Sequence, residues 1–293
     1  MSNSGDNEQG TPLPVESSSS RSHEPLFQDE IITNEGDTWQ HRLQRAQQVA
    51  LVVAPLLALL ALLMVSVWIS NLGGLPSSWD KGQSKLVFNW HPLLMILSFL
   101  FMTVATLSFR YSTVSRGRLS RTTVKWCHGI CWTVAALCMI MGLSAVFHSH
   151  NDPISGFIAN LYSLHSWIGL TVVILYFGQL LAGIGAFAGI IPDRLGLSAA
   201  VKAKILQIHS FLGPLLYKGV LVTILLGIQE KEGFVGCGYK VEEADTRPWK
   251  HFRDIPPVCR ISHGLGILVL LTGASTIFAM HPFDDRRDYA RNQ

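Results

Sequence analysis

Residues 49–69, VALVVAPLLALLALLMVSVWI, contain no charged side chain. A helix of this length spans the roughly 30 Å hydrocarbon core of a bilayer. Five further apolar blocks follow it, and each is long enough to do the same. The six blocks run roughly over residues 46–70, 90–109, 124–147, 161–190, 205–228 and 259–281.

The composition supports a membrane protein rather than two soluble domains, with 48% hydrophobic and 15% charged residues. Lipid offers no hydrogen bonds to the backbone, and the blocks lack the alternating polarity of barrel strands, so each block is predicted to be an α-helix. The expected fold class is an all-α integral membrane protein with six transmembrane helices. Its surroundings are membrane lipid, and no nucleic-acid partner is expected.

Three regions follow from this distribution. Residues 1–45 are polar, with a serine run at 17–20, and are expected to form a disordered cytoplasmic tail. Residues 46–282 form the six-helix domain, and residues 283–293 a cytoplasmic C-terminal tail. The first apolar block begins too far in and runs too long for a cleaved signal peptide, so it is expected to remain as a signal anchor.

The short loops carry an asymmetric charge, which predicts the orientation of the chain. Positively charged side chains are retained on the cytoplasmic side of a membrane. They flank the first block, fill the second-to-third and fourth-to-fifth loops, and follow the sixth block, so both termini are expected in the cytoplasm. These residues are Arg42, Arg45, Arg110, Arg116, Arg118, Arg121, Lys125, Arg194, Lys202, Lys204, Arg286, Arg287 and Arg291.

Four histidines stand within the first turn or two of the second to fifth blocks. The alternating direction of the helices places His91 and His165 near the outer face and His128 and His209 near the inner face. Ionisable residues inside a membrane are costly and are functional by default. Each depth supplies two imidazoles without a cysteine or carboxylate partner, which favours haem over zinc. The alternative is a set of hydrogen-bonded interfacial histidines.

Neighbouring glycines add modest support for a flat macrocycle close to the backbone. Gly169 lies four residues after His165, Gly213 lies four after His209, and Gly129 follows His128 directly. Glycines are also common at ordinary helix contacts. Two axial imidazoles would saturate an iron, so the expected chemistry is outer-sphere electron transfer.

Several motifs carry a resemblance to a known family. Residues 160–167 (NLYSLHSW), 88–93 (FNWHPL), 121–129 (RTTVKWCHG) and 227–231 (GIQEK) resemble the cytochrome b561 family of ascorbate-linked transmembrane oxidoreductases. The resemblance covers about residues 50–282. It implies two b-type haems in a core bundle of helices 2–5, flanked by helices 1 and 6, in a homodimer.

The chain departs from that family at two places. Family members often have a second histidine four residues after the first on the third helix, where this chain has Trp132. His128 is therefore the only candidate ligand on that helix. The long loop at 229–258 is not explained by the resemblance.

The resemblance and the charge pattern together suggest substrate contacts. Ascorbate is an anion, so a basic pocket beside the inner pair would attract it. Arg110 matches the arginine of the family's proposed ascorbate motif, and Lys125 and Lys204 lie near the inner ligands, although positive-inside anchoring also explains these charges. On the outer side, His150 matches a family histidine implied to contact the electron acceptor or its proton. Tyr162 and Ser163 would either bond to substrate at that mouth or cap the fourth helix.

The five cysteines show no zinc-binding spacing. Cys127, Cys131 and Cys138 are expected to be reduced and structural, on a packed face of the third helix. Cys237 and Cys259 both fall on the predicted outer side, where a disulfide would tether the long loop to the sixth helix.

The sequence thus predicts a membrane oxidoreductase that passes electrons from cytoplasmic ascorbate, through two bis-histidine haems b, to monodehydroascorbate or a ferric chelate outside. Two alternatives remain. One is a haem protein coupled to a quinol, and the other is a six-helix scaffold or transporter in which the histidines serve packing or proton relay. Secretory vesicle, endolysosomal and plasma membranes all fit.

Overall fold

The computed structural model describes residues 24–114, 120–188, 194–237 and 252–281, and the side chains of these except 24–38, 112–114 and 252. The helices are α1 (Glu24–Asn71), α2 (Ser84–Phe88), α3 (Trp90–Val114), α4 (Arg121–His150), α5 (Leu164–Phe187), α6 (Ala199–Phe234) and α7 (Pro257–Met280), with a 3₁₀ turn at Phe252–Asp254. No strand occurs in these ranges. Six helical spans are long and apolar enough to cross a membrane, with α2 and α3 together forming the second. The prediction of an all-α, six-span membrane protein is confirmed.

Serine side chains set the starts of three of the helices. Ser120, Ser163 and Ser198 each accept a hydrogen bond from the backbone N–H three residues further on, at the first turns of α4, α5 and α6. Such bonds satisfy donors that have no partner within the helix. At α5 the cap is reciprocal, because the Ser166 hydroxyl also accepts from the backbone N–H of Ser163. One of the two roles considered for Ser163, capping the fourth transmembrane helix, is therefore present.

The first helix begins well before its apolar block. α1 starts at Glu24, so it includes residues 24–45, a stretch whose composition suggested a disordered tail. Residues 24–44 form a unit separate from the one that begins at Arg45. Extending an existing helix fixes one residue for each hydrogen bond gained, which is cheaper than starting a helix. Residues 1–23 lie outside the described residues, as does the C-terminal tail 282–293.

α1 has two faces that differ in side-chain size. Its buried face is a stripe of mostly small residues at alternating spacings of four and three: Ala54, Ala58, Ala61, Val65 and Trp68. The opposite face exposes large apolar side chains, namely Val52, Leu56, Leu59, Leu60, Leu63 and Val67. Small residues allow close helix approach within a membrane, and large exposed apolar side chains suit lipid. The buried stripe therefore marks the face of α1 that packs in the bundle.

A buried polar contact joins three helices in the core. The Tyr217 hydroxyl on α6 is hydrogen-bonded to Thr103 on α3 at 2.9 Å and to Thr276 on α7 at 3.1 Å. All three side chains are fully buried. An unpaired hydroxyl in an apolar interior is costly, so this set of contacts favours one relative arrangement of α3, α6 and α7.

The loop between α4 and α5 is organised by Asp152, whose residue surface is only 2% exposed. Its carboxylate accepts hydrogen bonds from the Gly82 N–H (2.7 Å), the Ile154 N–H (3.0 Å) and the Ser155 hydroxyl (2.6 Å). These bonds, the Ser155 bond above all, lower the pKa of Asp152 to about 2. The ionised carboxylate thus joins this loop to the α1–α2 connection.

Replacing Asp152 with asparagine is expected to lower the thermal midpoint of unfolding by a few degrees at neutral pH. Because the folded-state pKa lies below its ordinary value of 3.8, the contribution of the carboxylate is fully present above about pH 4 and is lost as the pH falls towards 2. The difference between the thermal midpoints of wild type and Asp152→Asn, measured from neutral pH to about pH 3, should become smaller at the acid end. A gap that is constant across this range would contradict this role.

Candidate functional site

The first histidine pair lies at one end of the bundle, called here the His91 end. His91 in the first turn of α3 and His165 in the first turn of α5 have ring centres 6.2 Å apart and nearly perpendicular rings. The His91 Nδ1–H donates to the Gly142 carbonyl at 3.2 Å, and the His165 Nδ1–H donates to the Thr223 carbonyl at 2.9 Å. α4 and α6 thereby orient the rings carried by α3 and α5.

The second pair lies at the opposite end, called the His128 end. His128 on α4 and His209 on α6 have ring centres 6.3 Å apart. The His128 Nδ1–H donates to the Ala105 carbonyl at 2.9 Å. Ala105 is 14 residues beyond His91 on α3, which corresponds to about 21 Å along a helix. The predicted sorting of four histidines into two pairs at different depths therefore matches their positions.

In both histidine pairs, the distance between the ring centres suits one metal ion bound between the two imidazoles. Two metal–nitrogen bonds of about 2 Å, plus about 1 Å from each nitrogen to its ring centre, give roughly 6 Å between ring centres. The pairs measure 6.2 and 6.3 Å. Direct contact between two rings does not require this separation in both pairs, whereas coordination of a shared ion does.

The hydrogen bonds also select the coordinating nitrogen. A carbonyl oxygen can only accept, so Nδ1 of His91, His128 and His165 carries the proton and Nε2 keeps its lone pair. Histidines that bind a metal are often oriented in this way, by a carbonyl that accepts a hydrogen bond from the ring nitrogen that does not bind the metal. Nδ1 of His209 is buried and has no hydrogen-bond partner among the described residues.

Two glycines that sequence reasoning did not single out touch the histidine rings. A Cβ at Gly227 would lie 2.7 Å from Cε1 of His165, and a Cβ at Gly183 would lie 3.3 Å from Cε1 of His209. Only a residue without a side chain lets α6 approach His165 so closely. The repeated combination of a histidine on one helix and a glycine on the facing helix was not visible in the sequence, because each pair is far apart along the chain.

The glycines that the sequence did suggest have different surroundings. A Cβ built on Gly129 or Gly213 would meet nothing within 4 Å, and one on Gly169 would meet a Thr223 methyl group at 3.4 Å. Space beside Gly129 and Gly213 is compatible with a macrocycle next to His128 and His209. Gly169 instead belongs to the packing between α5 and α6.

The donor set distinguishes haem from a protein-bound zinc ion. Zinc sites need three or four protein ligands. Among the described residues, no three histidine, cysteine or acidic side chains converge on one point. Two imidazoles at each end, with hydrogen bonds orienting the rings of His91, His165 and His128 and with glycines alongside, suit a haem better than a zinc ion.

The mouth at the His91 end is built around Phe88. The Phe88 ring lies 5.7 Å from the His91 ring and is stacked on the His150 ring at 6.4 Å. The Lys231 ammonium lies 4.5 Å from the centre of the same ring. The His150 Nδ1–H donates to the Asn160 side-chain oxygen at 3.2 Å. A cation and an orientable imidazole therefore lie close to the first pair.

Glu230 joins α6 to the start of α5. Its carboxylate accepts from the Ser163 hydroxyl at 2.8 Å and from the Tyr162 hydroxyl. Burial, with the bond to Glu230, raises the pKa of Tyr162 above its ordinary value of 10, so the phenol stays protonated and donates. Thr223, Gly227 and Glu230 recur at helical spacing on the face of α6 towards the start of α5. That face positions the helix turn that carries His165.

The Arg110 side chain is hydrogen-bonded to other protein groups at the His128 end. Its Nε donates to the Ala279 carbonyl at 3.0 Å and its Nη2 donates to Gln47 Oε1 at 3.1 Å. Gln47 in turn donates to the carbonyls of Phe278 (3.0 Å) and His281 (2.6 Å). These contacts satisfy carbonyls at the C-terminal end of α7, as basic groups often do. Arg110 thus has a structural role that does not require a substrate.

The two lysines suggested beside the inner ligands are accessible. Lys125 lies three residues before His128 and Lys204 lies five before His209, and both are exposed. The structure therefore places both at the end where the sequence expected them.

Trp132 occupies the position where the resemblance led us to look for a second histidine. Its ring centre lies 6.0 Å from that of His128 and 5.2 Å from that of Tyr176 on α5. The Tyr176 hydroxyl donates to the Trp132 carbonyl at 2.5 Å. The residue packs between α4 and α5 and leaves His128 as the histidine facing His209.

The structure agrees with the sequence on the disulfide and on three free cysteines, but Cys127 is exposed and does not lie on a packed face as expected. Cys237 and Cys259 form a disulfide with Cα atoms 5.6 Å apart, which joins the residues just after α6 to the first turn of α7. Cys127, Cys131 and Cys138 are free thiols. Residues 238–251 of the long loop lie outside the described residues.

Sequence reasoning missed the roles of Phe88, Gly227, Glu230 and Lys231. The signal was present, because all four lie in motifs that carried the family resemblance. Their roles could not be assigned, since nothing local shows which helix each one faces.

Comparison with known proteins agrees with this geometry. Residues 90–235 match the family model for eukaryotic cytochrome b561. The chain is 34% identical to the plasma membrane ascorbate-dependent reductase CYBRD1 of Rattus norvegicus, over 76% of this chain and 70% of that protein. It is 35% identical to transmembrane ascorbate ferrireductase 1 of Arabidopsis thaliana (64% and 72%), and 30% identical to the lysosomal membrane ascorbate-dependent ferrireductase CYB561A3 of Mus musculus (69% and 76%). The chain therefore belongs to the eukaryotic cytochrome b561 family, a family of haem-binding membrane proteins.

Proposed function

We propose that this protein carries electrons across a membrane from cytoplasmic ascorbate to an acceptor on the other side. The observation that carries the proposal is the presence of two histidine pairs, 6.2 and 6.3 Å between ring centres, at the two ends of one helical bundle. His91 with His165 would hold one haem b, and His128 with His209 would hold the other. Relatives named as ascorbate-dependent reductases and ferrireductases support the same activity.

The bound group would supply the redox chemistry. Each bound haem would provide a one-electron centre, and ligation by two histidines would favour outer-sphere electron transfer. The protein's own contribution is to orient the imidazoles, to exclude water from the space between the two ends and to provide charged groups at each mouth.

The proposed orientation places the His128 end in the cytoplasm and the His91 end outside. The basic loops lie on the side of the His128 end, as the positive-inside rule requires of a cytoplasmic face. The Cys237–Cys259 disulfide lies on the other side, and disulfides persist in oxidising compartments outside the cytosol. Both termini are then cytoplasmic, with residues 283–293 as the cytoplasmic C-terminal tail.

This orientation predicts which side exposes the disulfide. In sealed vesicles of known sidedness, a membrane-impermeant reductant followed by a polyethylene glycol maleimide should add two groups when applied from the non-cytoplasmic side. The variant Cys237→Ser with Cys259→Ser is the control, and it should gain none. Modification from the cytoplasmic side alone would invert the proposed direction of electron flow.

At the cytoplasmic mouth, Arg110, Lys125 and Lys204 would attract the ascorbate anion. Arg110 would act there in addition to holding the end of α7. At the outer mouth, Lys231 would provide positive charge, and His150 would supply the proton that monodehydroascorbate takes up with its electron. Tyr162 and Ser163 are bonded to Glu230, so they shape this mouth through that carboxylate. A ferric chelate is the other acceptor proposed, with electrons passing by outer-sphere contact.

Replacing Lys231 with glutamine is expected to raise the KM for an anionic acceptor several-fold, with a smaller effect on kcat. The wild-type KM should also rise with ionic strength, because salt screens the attraction. The matched control is Lys81→Gln, which removes an exposed lysine from a loop at the same end. A KM changed equally by both substitutions would show that only the net charge of this face matters.

The activity itself is tested on purified protein in liposomes, with ascorbate on one side and ferricyanide on the other. We expect ascorbate alone to reduce the haem absorbance and to drive acceptor reduction across the membrane. Reduction by a quinol but not by ascorbate would favour the quinol-linked alternative. A purified protein without haem absorbance would favour a scaffold or transporter.

The resemblance also leads us to propose a homodimer. Secretory vesicle, endolysosomal and plasma membranes are all proposed locations, and the rat and mouse relatives named above are described as plasma membrane and lysosomal membrane proteins.

A further inference from the structure

The loop between α4 and α5 exposes apolar side chains to an unusual degree. Residues 153–163, PISGFIANLYS, contain no charged residue. The exposed fraction is 75% for Phe157, 71% for Ile154, 49% for Ile158 and 39% for Leu161. A loop in water normally presents polar side chains, and contiguous exposed apolar patches mark interaction surfaces.

Several polar groups of this loop are hydrogen-bonded within the protein. Besides the three bonds accepted by the Asp152 carboxylate, the Gly156 N–H donates to the Asp152 carbonyl at 3.1 Å and the Ile158 N–H donates to the His150 carbonyl at 2.9 Å. Ile154 also packs on the α1–α2 connection, because a Cβ at Gly82 would lie 3.3 Å from its side chain. The outward apolar side chains thus belong to a hydrogen-bonded loop of defined shape.

The exposed patch continues onto the membrane-spanning helices at either side. Phe147 near the end of α4 and Leu164 and Trp167 at the start of α5 are all exposed, and all three lie within the spans. Trp167 and the exposed Tyr162 are residue types enriched at the boundary between lipid and water. The patch is therefore continuous with the lipid-facing surface.

We propose that residues 153–161 insert into the interfacial region of the bilayer at the His91 end, so that lipid covers Ile154, Phe157, Ile158 and Leu161. Insertion removes apolar surface from water, and the segment carries no charge that would have to be desolvated. A protein partner is a poorer fit, because such interfaces have a polar rim around their apolar centre and this segment supplies no charged side chain for one. The mouth beside His150 then opens at the level of the lipid headgroups.

The test places an environment-sensitive NBD probe on a single cysteine at Phe157, with Ser77 as the matched control in the α1–α2 connection at the same end. The background is Cys127→Ser, Cys131→Ser and Cys138→Ala, which leaves the disulfide intact. In phosphatidylcholine vesicles containing doxyl-labelled lipid, we expect several-fold stronger quenching at Phe157→Cys than at Ser77→Cys, with blue-shifted emission. Equal quenching at both positions overturns the proposal.

A blue-shifted probe at Phe157→Cys that the doxyl lipid does not quench also overturns it, because a protein surface such as a second copy would then cover the loop. A measurement on the wild-type chain avoids dependence on the substituted background. A phospholipid that carries a photoactivatable carbene precursor should form adducts within residues 153–161 and not within residues 73–83. Adducts on the exposed face of α5 without adducts in residues 153–161 would place the loop in water.

Discussion

Replacing His165 with alanine is expected to remove the haem of the His91 end and to leave the other in place. The purified variant should carry about half of the wild-type haem, because a bis-histidine site that loses one axial ligand loses much of its affinity. The measurements are the haem content per chain and the reduced-minus-oxidised spectrum. The corresponding change at the other end, His209→Ala, should remove the complementary part of the spectrum.

The control for this experiment is His263→Ala. His263 lies at the same end of the bundle but is paired with Glu232 at 3.5 Å, outside the two histidine pairs. That variant should keep both haems. A second readout is the carbon monoxide difference spectrum, since any haem retained at the His91 end of His165→Ala would lack one ligand and should bind the gas, whereas the haem of the His128 end should not. Full haem content and an unchanged spectrum in His165→Ala would contradict the proposed ligand set.

A rescue variant separates ligand loss from a folding defect. His165→Gly leaves space for free imidazole, which should restore the haem content and the wild-type spectrum when added during purification. Thr223, whose carbonyl accepts from His165 Nδ1, is unchanged in this variant, so a bound imidazole has the same oriented partner. A variant that folds but is not rescued by imidazole would indicate that His165 acts through packing.

Gly227→Ala is expected to disturb the same site without changing a ligand. The new Cβ would lie 2.7 Å from Cε1 and 3.1 Å from Nδ1 of His165, so the ring must shift away from α6. Its hydrogen bond to the Thr223 carbonyl resists that shift, and overpacking of this kind costs about 1–3 kcal/mol. We expect a lower thermal midpoint and a changed low-spin signal for the haem of the His91 end, measured by electron paramagnetic resonance.

The matched control for Gly227→Ala is Gly233→Ala, on the same helix. A Cβ at Gly233 would meet nothing within 4 Å, so this change should leave the haem signal unaltered. Alanine is the better helix former by about 1 kcal/mol, so the control should also be slightly more stable. Equal effects from both substitutions would show that helix propensity, and not contact with His165, determines the outcome.

The fold was predictable because bilayer thickness and backbone hydrogen bonding constrain it so strongly. Any apolar block of about 20 residues in lipid must satisfy its own backbone, so the six helices and their order follow from composition. The ends of the helices were predicted less accurately than their number and order. α6 extends about six residues beyond its apolar block at each end, and α1 begins at Glu24, because water stabilises a polar helix end once the apolar part has formed.

The two histidine pairs that we propose as haem ligands were also predictable, since loop charge alone sorts the four histidines by depth. The residues that orient them were not. Gly142, Thr223 and Ala105 supply the carbonyls that bind the Nδ1 atoms of His91, His165 and His128, and any residue type could supply a carbonyl. For Arg110 the sequence suggested a role too readily. Its charge suggested contact with a substrate, but in the structure its side chain donates to a carbonyl at the C-terminal end of α7.

The sequence by itself determined that this protein has six transmembrane helices and carries two histidine pairs at different depths, because hydrophobic length and charge asymmetry act locally along the chain. Only the tertiary structure decided the 6 Å spacing within each pair and the choice of Nε2 as the free nitrogen of His91, His128 and His165. It also decided the place of Phe88, Gly227, Glu230 and Lys231 around the mouth at the His91 end. These features depend on which faces of the helices meet, and helix packing is set by the shapes of side chains distant in sequence.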